Sequence, residues 1–120
     1  MVGKTERLKK AFTFEAACDA YLIVKPGASG GVVPATAATD KIIGTKNFLA
    51  AESGAIGDVC LSDIPEVRLG GTVLPGDLLT SDANSKAIAT TTAGNRVFGV
   101  AMAGGVADDI IPYRYGLSQI

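Results

Sequence analysis

The sequence predicts an all-β protein, and three observations support this fold class. Ala, Gly, Val, Ile and Thr dominate the composition, whereas the chain has four Phe, three Tyr and no Trp. Apolar residues fall in short runs that are bounded by turn formers such as Gly, Pro, Asn and Asp. After residue 20 no segment has a convincing helical period. A chain of 120 residues can bury the core of one small β-barrel or sandwich without disulfide bonds.

The predicted strands follow one another from Tyr21 onward. They cover residues 20–25, 31–35, 41–45, 58–62, 66–69, 77–81, 87–92, 96–101 and 110–115. Residues 48–53 can form one helical turn at most.

The first residues are ambiguous and basic. Residues 8–15 fit either a helical face or a strand, because Phe12 to Glu15 alternate in polarity. Four cations and Glu6 give residues 1–10 a charge of +3, which leaves −4 for the rest of a chain whose net charge is −1. We therefore predict an extended N-terminal arm at residues 1–18 and a β body at residues 19–120. The arm either docks on a partner or is a solvated tail.

The chain contains an apparent internal repeat. VKPG at 24–27 recurs as VLPG at 73–76, and ATDKIIGT at 38–45 recurs as AGNRVFGV at 93–100. A weaker third match sets GDVCL at 57–61 against DDIIP at 108–112. Two related, β-tulip-like lobes explain these matches, and chance similarity among small residues is the alternative.

The segment LLTSDANSKAIATT at 78–91 has two interpretations. An EF-hand calcium loop that begins at Asp82 needs Gly at its sixth place and Glu at its twelfth, where this chain has Ala87 and Ala93. Asp82, Asn84 and Ser85 are turn formers. We therefore predict a hairpin tip and no metal.

Catalysis, cofactors and membrane insertion find no support in the sequence. The chain has no His, and its two cysteines, Cys18 and Cys60, lack CxxC spacing. We expect two buried thiols, with a single disulfide as the alternative. Carboxylates are scattered singly over turns, and no phosphate-binding glycine motif is present. No apolar run approaches the ~20 residues of a membrane span, and we expect a soluble chain that is made without secretion.

Lys41 suggests a second class of function. Lipoyl and biotinyl carrier domains present a lysine at a hairpin tip of a repeated β sandwich, and TDKIIG at 39–44 places Lys41 at a predicted turn. The second half has Arg96 at the matching position, so a solvated cation also explains Lys41.

The segments AYLIVKPG at 20–27, TDKIIGT at 39–45, GGTVLPGDLLTSDANSKA at 70–87 and RVFGVAM at 96–102 occur in an order that resembles the head-decoration, or capsid cement, proteins of tailed bacteriophages. The resemblance runs from about Phe12 to Gly116. Such proteins usually have Asn-Gly where this chain has Asn84 and Ser85, and the final LSQI matches nothing in the family.

The resemblance implies a structural virion protein that is neither an enzyme nor a nucleic-acid binder. Such a protein is made in the host cytoplasm, forms homotrimers or dimers, and clamps major capsid protein subunits on the outer capsid surface. A subunit of another assembly, such as a phage tail, is an alternative. Cations and aromatics of the arm can contact the capsid. The candidate binding residues are Lys4, Arg7, Leu8, Lys9, Lys10, Phe12 and Phe14.

Overall fold

The computed structural model describes residues 9–120, which form ten strands in two five-stranded sheets. The first sheet contains β1 (Lys9–Thr13), β2 (Ile23–Pro26), β3 (Val32–Pro34), β4 (Gly44–Lys46) and β5 (Ile56–Cys60). The second contains β6 (Glu66–Arg68), β7 (Leu78–Ser81), β8 (Ala87–Ala89), β9 (Arg96–Ala101) and β10 (Ile110–Gln119). All strands of each sheet pair in antiparallel fashion. The all-β prediction is confirmed.

The two sheets have the same strand order. The first is β1-β5-β4-β2-β3 and the second is β6-β10-β9-β7-β8. A parallel bridge between Phe14 and Val32 joins the end of β1 to the start of β3, and Leu69 and Ala87 form the matching bridge in the second sheet. Because these bridges connect the outer strands, each half is a small five-stranded barrel. We call residues 9–60 lobe 1 and residues 61–120 lobe 2.

Corresponding residues of the two lobes lie 55 positions apart as far as β4 and β9, as the pairs Val24–Leu79 and Gly44–Gly99 show. The predicted repeat is therefore present, and 38–45 was correctly set against 93–100. The other two sequence matches have the wrong register. The Pro-Gly of lobe 1 begins at Pro26, the last residue of β2, whereas the Pro-Gly of lobe 2 precedes β7. Pro-Gly occurs in many kinds of turn, so it is a poor guide to register.

The two lobes share one core. A large cluster combines Ile23, Ala35 and Ile42 of lobe 1 with Phe98 and other buried residues of lobe 2. A smaller cluster lies within lobe 1 and contains Phe14, Val24, Val32 and Val59. Because the larger cluster crosses the boundary between the lobes, we expect them to unfold together.

Tyr113 on β10 joins the lobes most directly. Its buried hydroxyl is hydrogen-bonded to Thr45 Oγ1 of lobe 1 at 2.8 Å. Its ring packs edge-on against Phe98 with centroids 5.0 Å apart. Tyr115 adds a second link, since its hydroxyl donates to the carbonyl oxygen of Ile43 at 2.6 Å.

The predicted hairpin at 78–91 is confirmed by the pairing of β7 with β8. Asp82 Oδ1 accepts the backbone N–H groups of Asn84 at 2.8 Å and Lys86 at 2.9 Å. Asp82 is therefore a turn residue whose carboxylate holds the tip. In lobe 1 the corresponding N–H groups, those of Ser29 and Gly31, donate to Glu15 instead.

In both lobes a carboxylate accepts the N–H groups of the hairpin turn, but it comes from different segments of the chain. In lobe 1 it belongs to Glu15, which precedes the hairpin, and in lobe 2 it belongs to Asp82 of the hairpin itself. Gly27 corresponds to Asp82, and a Cβ at Gly27 would overlap the carboxyl group of Glu15. Gly70 corresponds to Glu15, and a Cβ at Gly70 would overlap Asp82 Oδ2. Each lobe thus combines one carboxylate with one glycine that makes room for it.

Ser85 occupies the turn position where the decoration-protein family usually has glycine. Its φ of 64° is left-handed, as is the φ of 88° at its counterpart Gly30. The Ser85 hydroxyl donates to the carbonyl oxygen of Ala35, and the Ser85 carbonyl accepts the N–H of Ile23 at 2.9 Å. These bonds attach the hairpin tip of lobe 2 to lobe 1, which offsets the cost of a non-glycine residue at positive φ.

Other predictions had mixed outcomes. Strands were found in all nine predicted regions, but β10 continues to Gln119. Residues 48–53 form no helical turn. In the described part of the chain, no helix is long and apolar enough to cross a membrane.

Candidate partner-binding surface

The residues predicted to form a partner-binding arm are placed differently by the structure. Residues 9–13 are strand β1, which pairs with β5 from Lys9–Cys60 to Thr13–Ile56. The described part of the segment is therefore the edge of lobe 1 and does not extend away from the body. Lys4, Arg7 and Leu8 lie outside the described residues.

Phe14 is a core residue, so its assignment to the binding surface is wrong. It is fully buried, and the bridge that closes the barrel of lobe 1 passes through it. Phe12 is half-buried against the same core, because alternate residues of a strand share a face. Lys9 and Lys10 are exposed, and Lys10 Nζ lies 5.4 Å from the centroid of the Phe12 ring.

Strand β1 pairs with β5 along its whole length. Its other side meets β3 at the Phe14–Val32 bridge just beyond its end, and along Lys9–Thr13 that side has no paired strand in the described part of the chain. Exposed lysines on an edge strand discourage edge-to-edge aggregation, and they also attract an acidic partner. Of the predicted binding residues that the structure describes, Lys9 and Lys10 at this edge are the exposed ones.

A buried lysine that the sequence did not reveal lies next to this edge. Lys46 on β4 is only 2% exposed. Its ammonium group donates to Asn47 Oδ1 at 2.6 Å and lies 5.4 Å from the centroid of the Phe14 ring. Burial lowers the pKa of Lys46, although the nearby Cys18, Asp58 and Cys60 act in the opposite direction. No carboxylate among residues 9–120 forms an ion pair with it.

Lys46 and Asn47 line two surface pockets. The first has a volume of about 190 Å³ and is lined by Lys9, Tyr21, Lys46, Asn47, Phe48, Cys60 and Glu66. The second, also about 190 Å³, is lined by Lys46, Asn47, Leu49, Ala50, Ile56, Gly57 and Asp58. We call the first of these the Lys46 pocket.

Large apolar side chains surround the two pockets. Phe48 is 63% exposed, Leu49 is 56% exposed and Ile56 is 73% exposed. An exposed aromatic beside a surface pocket is typical of protein interfaces. Together, β1, Lys46 and these three apolar residues form the candidate partner-binding surface.

Cys18 and Cys60 are both buried thiols, as predicted. Burial raises the pKa of Cys18 from 9.0 to about 11. Burial also raises the pKa of Tyr113, although its hydrogen bond to Thr45 opposes this.

The raised pKa of Cys18 predicts a loss of stability at alkaline pH. The unfolded thiol ionises near pH 9 and the folded thiol near 11, so the unfolded chain binds fewer protons in this window. Stability should then fall with a slope of up to about 1.4 kcal/mol per pH unit from this group. The lowered pKa of Lys46 acts in the opposite sense. We therefore expect the free energy of unfolding, measured in urea, to fall less between pH 8 and pH 10 in Cys18→Ala than in the parent. Equal pH slopes would contradict this.

Lys41 is not at a hairpin tip, so the placement that suggested a carrier domain is wrong. It lies between β3 and β4, which are separated in the sheet by β2. Lys41 and Arg96 are counterparts, as the repeat predicted, and they meet at one pocket of about 340 Å³. That pocket is also lined by Ile42, Val97, Leu117, Ser118 and Gln119.

No protein-family model and no curated protein match the sequence. Its fold, by contrast, matches solved structures. One is described as the crystal structure of the head fiber gp8.5 N base in bacteriophage phi29, with a TM-score of 0.70 and 16% sequence identity. The two chains share a fold. The match covers 96% of this chain and 98% of that chain, so it includes both lobes.

Proposed function

We propose that this chain is a structural protein of a phage virion that binds the outer surface of the capsid and stabilises contacts between major capsid protein subunits. The observation that carries the proposal is the fold shared with the phi29 head fiber base over nearly the whole of both chains. Since a fold hosts many functions, the proposal also needs a surface suited to the role. The candidate partner-binding surface supplies one.

The charge and shape of lobe 1 support binding to a protein shell. Lys9 and Lys10 are exposed on an accessible strand edge, and exposed Phe48 and Ile56 lie near it. Cations at the rim of an interface promote association with an acidic surface, and apolar residues at its centre hold the complex. Many copies on a symmetric shell, arranged as trimers or dimers, add to the strength by avidity.

The carboxylates of the turns accept hydrogen bonds from backbone N–H groups, which supports a role without catalysis. Asp40 accepts the N–H groups of Thr36 and Ala37, and Asp77 accepts the N–H of Leu74. Carboxylates held in this way stabilise turns. Within the described residues no group of three potential metal ligands is present.

The proposal can be tested with heads that lack this chain. We expect the purified chain to bind such heads and to raise the temperature at which they release DNA. Lys9→Glu combined with Lys10→Glu should weaken binding by about tenfold at low salt, because both cations are lost and repulsion is added. Lys41→Glu combined with Arg114→Glu changes the charge equally at exposed positions away from β1 and should have a smaller effect. The absence of binding by the parent chain would overturn the proposal.

The role of the remaining arm residues needs a separate variant. Deletion of residues 2–14 would remove β1 and the core residue Phe14 together, so a loss of binding would report unfolding of lobe 1. Deletion of residues 2–8 leaves β1 intact. We expect this shorter deletion to weaken binding to heads without lowering the urea midpoint, and undiminished binding would show that Lys4, Arg7 and Leu8 take no part.

A further inference from the structure

The buried position of Lys46 is unfavourable for stability, because no carboxylate among the described residues forms an ion pair with its ammonium group. An ammonium group buried without a carboxylate is unfavourable, and one amide oxygen and an aromatic face compensate only in part. Asp58 is near enough to affect the pKa of Lys46 but forms no ion pair with it. Replacing such a lysine by an apolar residue is often neutral or stabilising.

The internal repeat shows that the fold does not require a lysine at this position. The counterpart of Lys46 in lobe 2 is Ala101, on the matching strand and 2% exposed. The neighbours differ as well, since Phe14 corresponds to Leu69 at the bridge that closes each barrel. The same barrel is therefore built with a small apolar side chain where lobe 1 has a buried cation.

Lys46 is one of the residues that line the Lys46 pocket at the surface of lobe 1. Its lining contains two cations, Lys9 and Lys46, and one carboxylate, Glu66, so its formal charge is positive. Tyr21 and Cys60 are the other titratable groups of the lining. Phe48 lies at the pocket and exposes most of its side chain, so it can pack against apolar atoms beside an incoming carboxylate.

We propose that the Lys46 pocket receives an aspartate or glutamate side chain of the protein that this chain binds. The partner's carboxylate supplies the ion pair that no carboxylate among residues 9–120 makes with Lys46, and Lys9 supports it from β1. That the partner is the major capsid protein rests on the proposed function, whereas the preference for a carboxylate rests on the pocket alone.

The pocket can be tested without the capsid. The probes are acetyl-Leu-Glu-Leu-amide and acetyl-Leu-Gln-Leu-amide, followed by the NMR shifts of the Asn47 and Phe48 amides. We expect the glutamate peptide to bind at least about fivefold more tightly, and this preference should vanish in Lys46→Met. Lys41→Met removes an exposed lysine elsewhere and should retain it. Equal binding of the two peptides by the parent chain would overturn the proposal, as would an equal loss in both variants.

Stability and head binding then separate a binding role from a structural one. We expect Lys46→Met to raise the urea midpoint of the unbound chain and to weaken binding to heads by about tenfold or more. A lower midpoint with unchanged head binding would show that Lys46 is structural and would overturn the proposal. Glu6 is the one carboxylate of residues 1–8, which lie outside the described residues, and Glu6→Gln tests whether this carboxylate of the chain itself affects recognition. The variant should leave the parent's preference for the glutamate peptide unchanged or increased. If it instead abolishes binding of the glutamate peptide, Glu6 is needed for recognition and the proposed pocket is wrong.

If the parent chain prefers the glutamate peptide but does not bind heads, the proposed function fails and the carboxylate pocket stands. If it binds heads but shows no peptide preference, the pocket fails and the proposed function stands.

Discussion

Replacing Tyr113 by alanine should destabilise the chain by about 4 kcal/mol, because it removes a fully buried aromatic from the core shared by the lobes. The edge-on contact with Phe98 and the hydrogen bond to Thr45 are lost with it. Since the same side chain serves both lobes, we expect a single urea transition at a lower midpoint. Two separate transitions in the parent chain would contradict the shared core.

The hydroxyl of Tyr113 can be examined separately with a double-mutant cycle. Tyr113→Phe leaves the buried hydroxyl of Thr45 without this partner and should cost about 1–2 kcal/mol. Thr45→Val should cost a similar amount. The double variant removes both polar groups, so its cost should be well below the sum of the single costs. Strict additivity would show that the hydrogen bond does not couple the lobes.

Gly70→Ala should destabilise the chain by about 2–3 kcal/mol, because the new Cβ overlaps Asp82 Oδ2 in a packed turn. Asp82→Gly should cost about 2 kcal/mol through the loss of hydrogen bonds to the N–H groups of Asn84 and Lys86. In the Asp82→Gly background, however, the overlap with the carboxylate is gone, and the nearest remaining atom to the new Cβ is the Cβ of Lys86 at 3.1 Å. We therefore expect it to cost less than about 1 kcal/mol there.

The complementary substitution in lobe 1 provides the matched control. Gly27→Ala overlaps the carboxyl group of Glu15, so its cost should fall in the Glu15→Gly background in the same way. Urea unfolding of the two cycles gives the coupling energies. Coupling near zero in both lobes would contradict the compensating arrangement of carboxylate and glycine.

The fold was predictable because its strands are short, apolar and separated by strong turn signals. The segment that forms β1 was left open between a helical face and a strand, and it was assigned to an arm. Ala11 pairs with Asp58, which is far away in the sequence, so no local pattern shows that this segment completes a sheet. The alternation of Phe12 and Phe14 did place both on one face, but a sequence cannot tell whether such a face meets the core or a partner.

The binding surface was less predictable than the fold. Lys9 and Lys10 were found from their charge, whereas no local sequence pattern distinguishes Lys46 from a solvated lysine. A signal was nevertheless present. Extending the match of 38–45 with 93–100 by one residue places Lys46 opposite Ala101, and a cation aligned with a small apolar residue indicates an unusual environment.

The direct test of the central claim is cryo-EM of the virion that contains this chain. The account predicts density for the two-lobed body on the outside of the head, at contacts between major capsid protein subunits. The edge of β1 and the Lys46 pocket should face the shell, with an acidic side chain of the capsid near Lys46. Density in the tail, or no density in the particle, would contradict the capsid role.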